Sequence, residues 1–338
     1  MPSVSVLMPC YNAAGTLAET LDSLLAQGHA DFEIVAVDDG STDGSADILA
    51  DYARQDARLQ PLYRPHAGII AALNAGLNAC RGEFVARMDA DDLAPPQRLE
   101  LQAQFLEAHP DVALVASLVE GFPKTEIREG FRIYIDWLNS LRSDAEIKRE
   151  IFVESPLAHP SVMFRKQAVL DLGAYQEHGW PEDYDLWLRM AQAGLRFVKI
   201  PEILLQWRDH PPRLTRTDSR YSVENFLRAK SHYLMKGPMR DRDALFIWGA
   251  GMMGKRLSKH LLRAGAPLEY FIDVDPAKIG RTRRSKPIIA PDDLLERWQR
   301  FEQPILLAAV GARGARKLIR EKLEAVGLSE GRDWFAAA

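Results

Sequence analysis

Cysteine is almost missing from this chain. Cys10 and Cys80 are the only two in 338 residues, too far apart for a metal-ligand spacing. That argues against a disulfide framework and a thiolate metal site, and leaves two small buried hydrophobes in a reducing compartment. Long apolar runs are also lacking. No stretch approaches the ~18 apolar residues of a membrane span, and the greasiest segments, 112–119 and 305–310, have strand length. Nor is there an excess of one charge. With 43 basic and 47 acidic residues and a net charge of -4, nothing global draws the chain to nucleic acid or anionic lipid. Repeats and low-complexity tracts are absent too, so two ordinary globular cores are expected.

The first residues show no basic and apolar leader; Val4-Ser5-Val6-Leu7-Met8 reads directly as a strand. The expected location is cytoplasmic. Peripheral contact with the inner membrane face through basic clusters such as Arg281 to Lys286 is one reading of that segment, and a solvated loop is the other.

What is present is an alternation. Strand-like runs at Ser3 to Met8, Phe32 to Asp38, Leu59 to Tyr63, Phe84 to Met88 and Val112 to Ser117 are separated by amphipathic stretches. These stretches are Thr16 to Gln27, Ser45 to Gln55, Ile69 to Ala79 and Pro96 to Ala108, the first with Leu17, Leu21, Leu24 and Leu25 at helical spacing. Such a β-α series predicts an α/β fold, a mostly parallel sheet flanked by helices, in which ligands gather at the carboxyl ends of the strands. The acids fall there. The second run leads into Asp38-Asp39-Gly40-Ser41-Thr42-Asp43, and the fourth into Asp89-Ala90-Asp91-Asp92. Carboxylates this dense repel, and a divalent cation would relieve them. A turn with a helix cap is the competing reading of the first cluster. For the second, strand alternation would aim Asp89 and Asp91 the same way, and Pro95-Pro96 would open the next helix.

Together with Val6-Leu7-Met8-Pro9-Cys10-Tyr11-Asn12, Ala72-Leu73-Asn74-Ala75-Gly76-Leu77 and Trp180-Pro181-Glu182-Asp183-Tyr184-Asp185, these motifs resemble a family-2 glycosyltransferase of GT-A fold over roughly residues 1 to 235. The resemblance implies a nucleotide diphosphate sugar donor, a saccharide or lipid-linked acceptor, and Mn²⁺ or Mg²⁺ as cofactor. It places Pro9, Tyr11, Asn12, Asp39 and Arg64 around the donor nucleotide and matches Asp89 and Asp91 to the D-x-D pair. Asp91 would touch the metal and Asp89 the ribose and a metal-bound water. Asp183 matches the catalytic base, and Glu182 would orient the acceptor; first-turn acids favoured by a helix dipole are the competing reading of that pair. His210, in Trp207-Arg208-Asp209-His210, lies where relatives carry a basic loop, which makes it a candidate metal or phosphate contact with Arg208 and Arg216 beside it. His159 is a weaker candidate of the same kind, and for each histidine a surface loop without such a role competes. The acceptor region, about 120–235, includes an aromatic stripe, Tyr134 and Trp137 within Phe131 to Leu141, readable as a sugar platform or as core.

After a helix at Tyr221 to Met235 and the breaker Gly237-Pro238, a second pattern starts. The domains are therefore set at 1–236 and 243–338. Ala244 to Trp248 reads as a strand, Gly249-Ala250-Gly251-Met252-Met253-Gly254 follows, and Tyr270-Phe271-Ile272-Asp273 ends a second strand in an acid. This is a dinucleotide-type pattern in its expected context, so Gly249, Gly251, Gly254 and Asp273 form a candidate second site for NAD(P) or another nucleotide in a small Rossmann-like domain. Close helix-strand packing alone would also call for those glycines.

The leading expectation is thus an inverting, metal-dependent glycosyltransferase of cell-surface polysaccharide or glycolipid synthesis. The competing class is a nicotinamide-dependent or sugar-nucleotide-sensing protein acting through the C-terminal domain. A nucleotidyltransferase would want a Gly-rich basic loop after the first strand, where this chain has Pro9-Cys10-Tyr11-Asn12.

Overall fold

The computed structural model describes residues 2–210 and 213–338. Its contacts divide the chain into two compact units. The first holds the residues up to 147 with 156–178 and 182–217; the second holds 148–155, 179–181 and 218–338.

The first unit is built on seven strands: β1 (Val4–Cys10), β2 (Phe32–Asp38), β3 (Leu59–Tyr63), β4 (Phe84–Arg87), β5 (Val112–Phe122), β6 (Met163–Arg165) and β7 (Arg196–Arg208). They lie in the order β3-β2-β1-β4-β6-β5-β7. Pairing is parallel except at β6, which runs antiparallel to β4 and β5. This is the expected mostly parallel α/β sheet. All seven residues of β1 are buried, which requires cover on both faces and explains its unbroken apolar run. Leu17, Leu21 and Leu24 of the helix Leu17–Leu25 are fully buried in the core beside β1 and β2, each contributing about 2 kcal/mol of apolar burial.

β1 and β2 stay in register to their last residues, Cys10 opposite Asp38. The loops that follow them therefore emerge side by side at one edge of the sheet, next to the end of β4. The strands β6 and β7 were not among the expected runs. β5 also continues five residues beyond the expected end, because β7 pairs with it as far as Phe122 opposite Arg208; a partner so distant in sequence leaves no local trace. The helix after the prolines begins at Arg98, with Pro96 in the preceding turn.

The second unit is a six-stranded sheet of β8 (Ala244–Trp248), β9 (Leu268–Ile272), β10 (Thr282–Arg283), β11 (Lys286–Ile289), β12 (Pro304–Ala308) and β13 (Trp334–Ala336). The order is β10-β11-β9-β8-β12-β13, parallel except for the β10-β11 hairpin. By contacts this unit begins near Asp218, ahead of the expected linker. The helix Val223–Lys236 belongs to it, with Glu224 accepting from Lys259 and His260 of the helix Met252–Arg263 at 3.2 and 2.8 Å. Segment 148–155 joins it in the same way, as Lys230 Nζ donates to the Val153 carbonyl at 2.6 Å. In the basic hairpin, Arg284 donates to Ser258 Oγ and to the Lys255 carbonyl, and Lys286 pairs with Glu269. Two of its cations are thus committed within the unit. Among the described residues no helix is long and apolar enough to cross a membrane.

Candidate active site

Three strand ends of the first unit supply the site. From β1, Pro9 is buried opposite Val37, and Tyr11 stacks on His66 with ring centroids 4.2 Å apart while staying half exposed. Asn12 takes a left-handed backbone (φ 50°), which asparagine tolerates better than most residues. Its Oδ1 accepts the Thr42 amide at 2.8 Å, and its own amide donates to Ser41 Oγ at 2.9 Å. Asn12 therefore ties the β1 loop to the β2 loop.

From β2, Asp39 is buried and densely satisfied. It accepts the amides of Ala67 and Gly68, at 3.2 and 2.7 Å, and faces His66 Nδ1 at 2.9 Å and Arg64 Nε at 3.6 Å. Arg64 Nη1 is buried without a hydrogen-bond partner. Tyr11, Asp39, Arg64 and His66 thus form one cluster, and His66 is a member that sequence reasoning missed. Its only signal was its place two residues after Arg64.

From β4 comes the acidic turn. The strand stops at Arg87, so residues 89–91 lie in a turn and not on the alternating faces of a strand. Asp89 and Asp91 nonetheless converge, joined by Asp92: each offers an oxygen within 4.8 Å of the others. The turn is held from outside by Thr16 Oγ1, which donates to the Ala90 carbonyl at 3.0 Å, and by the fully buried Arg98. Arg98 donates to the Arg87 carbonyl at 2.7 Å, to Met88 Sδ at 3.1 Å and to Gln102 Oε1 at 3.1 Å.

The electrostatics of the turn are strained. Burial holds the Asp92 carboxyl well above its ordinary range, and Asp91 and Asp89 push it further. Burial also lifts Asp89, against the pull of the Arg87 guanidinium paired with it. Asp92 Oδ1 accepts the Arg208 amide at 2.8 Å, whereas its buried Oδ2 has no hydrogen-bond partner. His210 Nε2 lies 2.7 Å from Asp91 Oδ2. Oxygen donors, like-charge repulsion and an orphaned carboxylate oxygen are the properties of a site for a hard divalent cation. Asp92 belongs to this set, although only Asp89, Asp91 and His210 were singled out from the sequence. Arg208 donates to the Asp91 carbonyl and pairs with Glu19, and Arg216 pairs with Asp209 and donates to the His210 carbonyl.

Glu182 and Asp183 open the helix Glu182–Gln192. Asp183 is partly buried and accepts the Tyr184 amide at 2.6 Å. Burial, then the neighbouring Glu182, push its pKa up to about 8. Arg87 acts on both clusters: its charge is felt by Asp89, Glu182 and Asp183.

His159 is not at this surface. It is buried, shares a 2.9 Å hydrogen bond with the Tyr175 hydroxyl, and burial holds its pKa well below the ordinary value. The surface-loop reading fails for it because the ring is buried, and it is not among the residues that converge as a possible metal site. Phe131, Tyr134 and Trp137 are partly buried and pack against the core, with Phe131 edge-on to Trp207 at 5.0 Å. Both cysteines are free and buried, as expected.

The fold and this acid-lined strand edge define a glycosyltransferase of GT-A type. The model of glycosyl transferase family 2 matches residues 5–173, half of the chain, and the protein belongs to that family. Among its relatives, the amylovoran biosynthesis glycosyltransferase AmsE of Erwinia amylovora is 35% identical over 210 residues, covering 60% of this chain and 75% of that one. A UDP-Gal:α-D-GlcNAc-diphosphoundecaprenol β-1,3-galactosyltransferase of Escherichia coli is 30% identical over 210 residues, 61% of this chain and 74% of that protein. In fold, S. aureus TarS 1-349, solved with UDP-GlcNAc, superposes with a TM-score of 0.57 at 19% identity, over 77% of this chain and 72% of that one.

Proposed function

We propose that the protein transfers a sugar from a nucleoside diphosphate carrier to an acceptor hydroxyl by a single displacement that inverts the anomeric carbon. The observation that carries this reading is the convergence of Asp89, Asp91 and Asp92, with one buried oxygen unpartnered, at the same sheet edge as the Tyr11, Asp39 and Arg64 cluster. The base of the nucleotide would lie against Tyr11 beside Asp39, and Arg64 would donate to the base or diphosphate. Pro9 would wall that site and Asn12 would fix its loop.

Asp91 would hold Mn²⁺ or Mg²⁺ directly, with Asp89 toward the ribose and a cation-bound water, and Asp92 and His210 completing the surround. When bound, the cation supplies charge neutralisation for the departing diphosphate. In the displacement, the acceptor oxygen forms a bond to the anomeric carbon as the bond from that carbon to the diphosphate oxygen breaks. The acceptor proton passes to the Asp183 carboxylate, whose pKa of about 8 makes it a stronger base than an ordinary aspartate and increasingly available as pH rises through that value. Glu182 would orient the acceptor. Arg208 and Arg216 would stand beside the diphosphate as cationic donors.

The relatives' names support assembly of a polysaccharide or a lipid-linked saccharide, with a uridine diphosphate sugar as the first donor to test. Nucleoside diphosphate release from a panel of nucleotide sugars in Mn²⁺ is the assay. Asp91→Ala should lower it by at least about 100-fold. Undiminished release by Asp91→Ala in the presence of chelator refutes the reading.

A further inference from the structure

The glycine-rich turn of the second unit has no part in this chemistry, and its surroundings are those of a binding site. A cavity of about 340 Å³ opens at the carboxyl ends of β8, β9 and β12, lined by Gly249, Gly251, Asp273 and Gly311 among others. The strand order reverses there. From β8 the chain crosses to β9 on one side, and later returns to place β12 on the other, which makes the gap between β8 and β12 the crevice where parallel sheets take ligands.

The glycines divide by what a side chain would meet. A Cβ at Gly254 would lie 1.9 Å from the Gly249 carbonyl oxygen, and one at Gly249, where φ is +114°, would lie 2.7 Å from the Ala309 carbonyl oxygen. Close packing demands both. A Cβ at Gly251 would meet nothing within 4 Å, so the fold does not need that glycine, and the bare backbone there faces the cavity. Gly251 caps the helix Met252–Arg263, and the amides of Gly251, Met252 and Met253 donate to no acceptor among the described residues. The walls are equally unspent. Val274, Met252 and Leu318, respectively 71%, 69% and 67% exposed, are the most exposed large hydrophobic side chains among the described residues, and all three line this cavity.

Asp273, grouped with these glycines from the sequence, holds the turn in shape. Its carboxylate accepts the Ala250 amide at 2.9 Å and the Asp275 amide at 3.0 Å and pairs with Lys278 at 3.2 Å, pinning the turn itself. The other charged lining residue, Lys322, pairs with Asp292. With Asp273 offset by Lys278 and Lys322 by Asp292, the cavity presents the free amides of the glycine turn beside apolar walls.

We propose that this cavity binds a nucleoside 5′-diphosphate, its phosphates on the amides of Gly251 to Met253 and its base between Val274, Met252 and Leu318. The amides at a helix N-terminus suit the phosphates, and the exposed apolar walls suit a flat base. At about 340 Å³ the cavity is near the lower end of ligand sites, roughly 300–1,000 Å³, which favours one nucleotide over a dinucleotide. The assignment stands independently of the catalytic reading.

The test is hydrogen exchange of the full chain in chelator, following amides 249–255 during titrations with UDP, ADP and NAD⁺. UDP, ADP or both should slow exchange there, their ratio naming the preferred base. Gly251→Asp puts a carboxylate where the phosphates would sit, in open space at a backbone angle any residue adopts. It should weaken binding by about tenfold or more, as should Val274→Glu at an already exposed wall. No protection by either diphosphate overturns the proposal, as does protection unchanged in both variants. Tighter binding of NAD⁺ than of ADP overturns the single-nucleotide assignment.

Discussion

Replacing Asp183 by asparagine should make the protein more stable while removing its activity, and the gain should depend on pH in a defined sense. The carboxyl group is lifted from its ordinary 3.8 to about 8 by burial and by Glu182, against the Tyr184 amide and Arg87, which favour the charge. Between those two values the folded chain keeps a proton that the unfolded chain has released. Stability therefore falls as pH rises from about 4 to about 8 and levels off above that. Asp183→Asn resembles the protonated carboxyl, can still accept the Tyr184 amide, and carries no such penalty. The gap in pKa sets an upper bound of ~5–6 kcal/mol. Relaxation and water entry around a partly buried group reduce the expected gain to ~2–3 kcal/mol at about pH 9, and to nearly nothing at about pH 4. Urea denaturation of both proteins at the two pH values, in chelator, measures it. In parallel, kcat/KM of the unsubstituted protein should rise with pH through an apparent pKa near 8, and Asp183→Asn should lose about 1,000-fold or more. Equal stability differences at the two pH values, or a less stable variant at the higher one, would refute the account of a strained base.

Two further substitutions probe the scaffold. Arg98→Met removes three directed hydrogen bonds beneath the acidic turn and leaves the buried Arg87 carbonyl without that donor. It should cost about 3 kcal/mol and weaken Mn²⁺ binding, read by urea denaturation and metal titration; metal affinity equal to that of the parent would show that Arg98 does not set the turn. Gly254→Ala forces a methyl into the Gly249 carbonyl and should lower stability by more than about 2 kcal/mol, with the loss confined to exchange-protected amides of residues 218–338. An unchanged melting profile would refute the close-packing reading.

The local pattern was enough for the strands whose neighbours are near in sequence. Phe32–Asp38 and Leu59–Tyr63 stand where their apolar runs put them, and the helices Ser45–Gln55 and Ile69–Ala79 likewise, because a buried strand or helix face needs apolar side chains at a fixed period whatever lies across from it. The acids at 39, 89 and 91, and the Glu182-Asp183 pair, were legible as types at strand ends and a helix start. Their neighbours were not. His66 under Tyr11 depends on which loops the sheet order brings together, and Arg98 beneath the turn and the union of Asp92 with Asp89 and Asp91 depend on how the turn folds back on itself, which hydrophobic periodicity does not register.

By itself, then, the sequence determined that this would be a mostly parallel sheet with carboxylates at its carboxyl edge, followed by a second glycine-turn unit, since periodicity and turn chemistry act over a few residues. Only the tertiary structure decided that the acidic pair converges through a turn and not by strand alternation, that His159 is buried against Tyr175, and that Asp273 ties its loop to the glycine turn at Ala250. Each of these turns on the burial and pairing of polar groups, whose cost is set by the folded surroundings and not by the period of apolar residues.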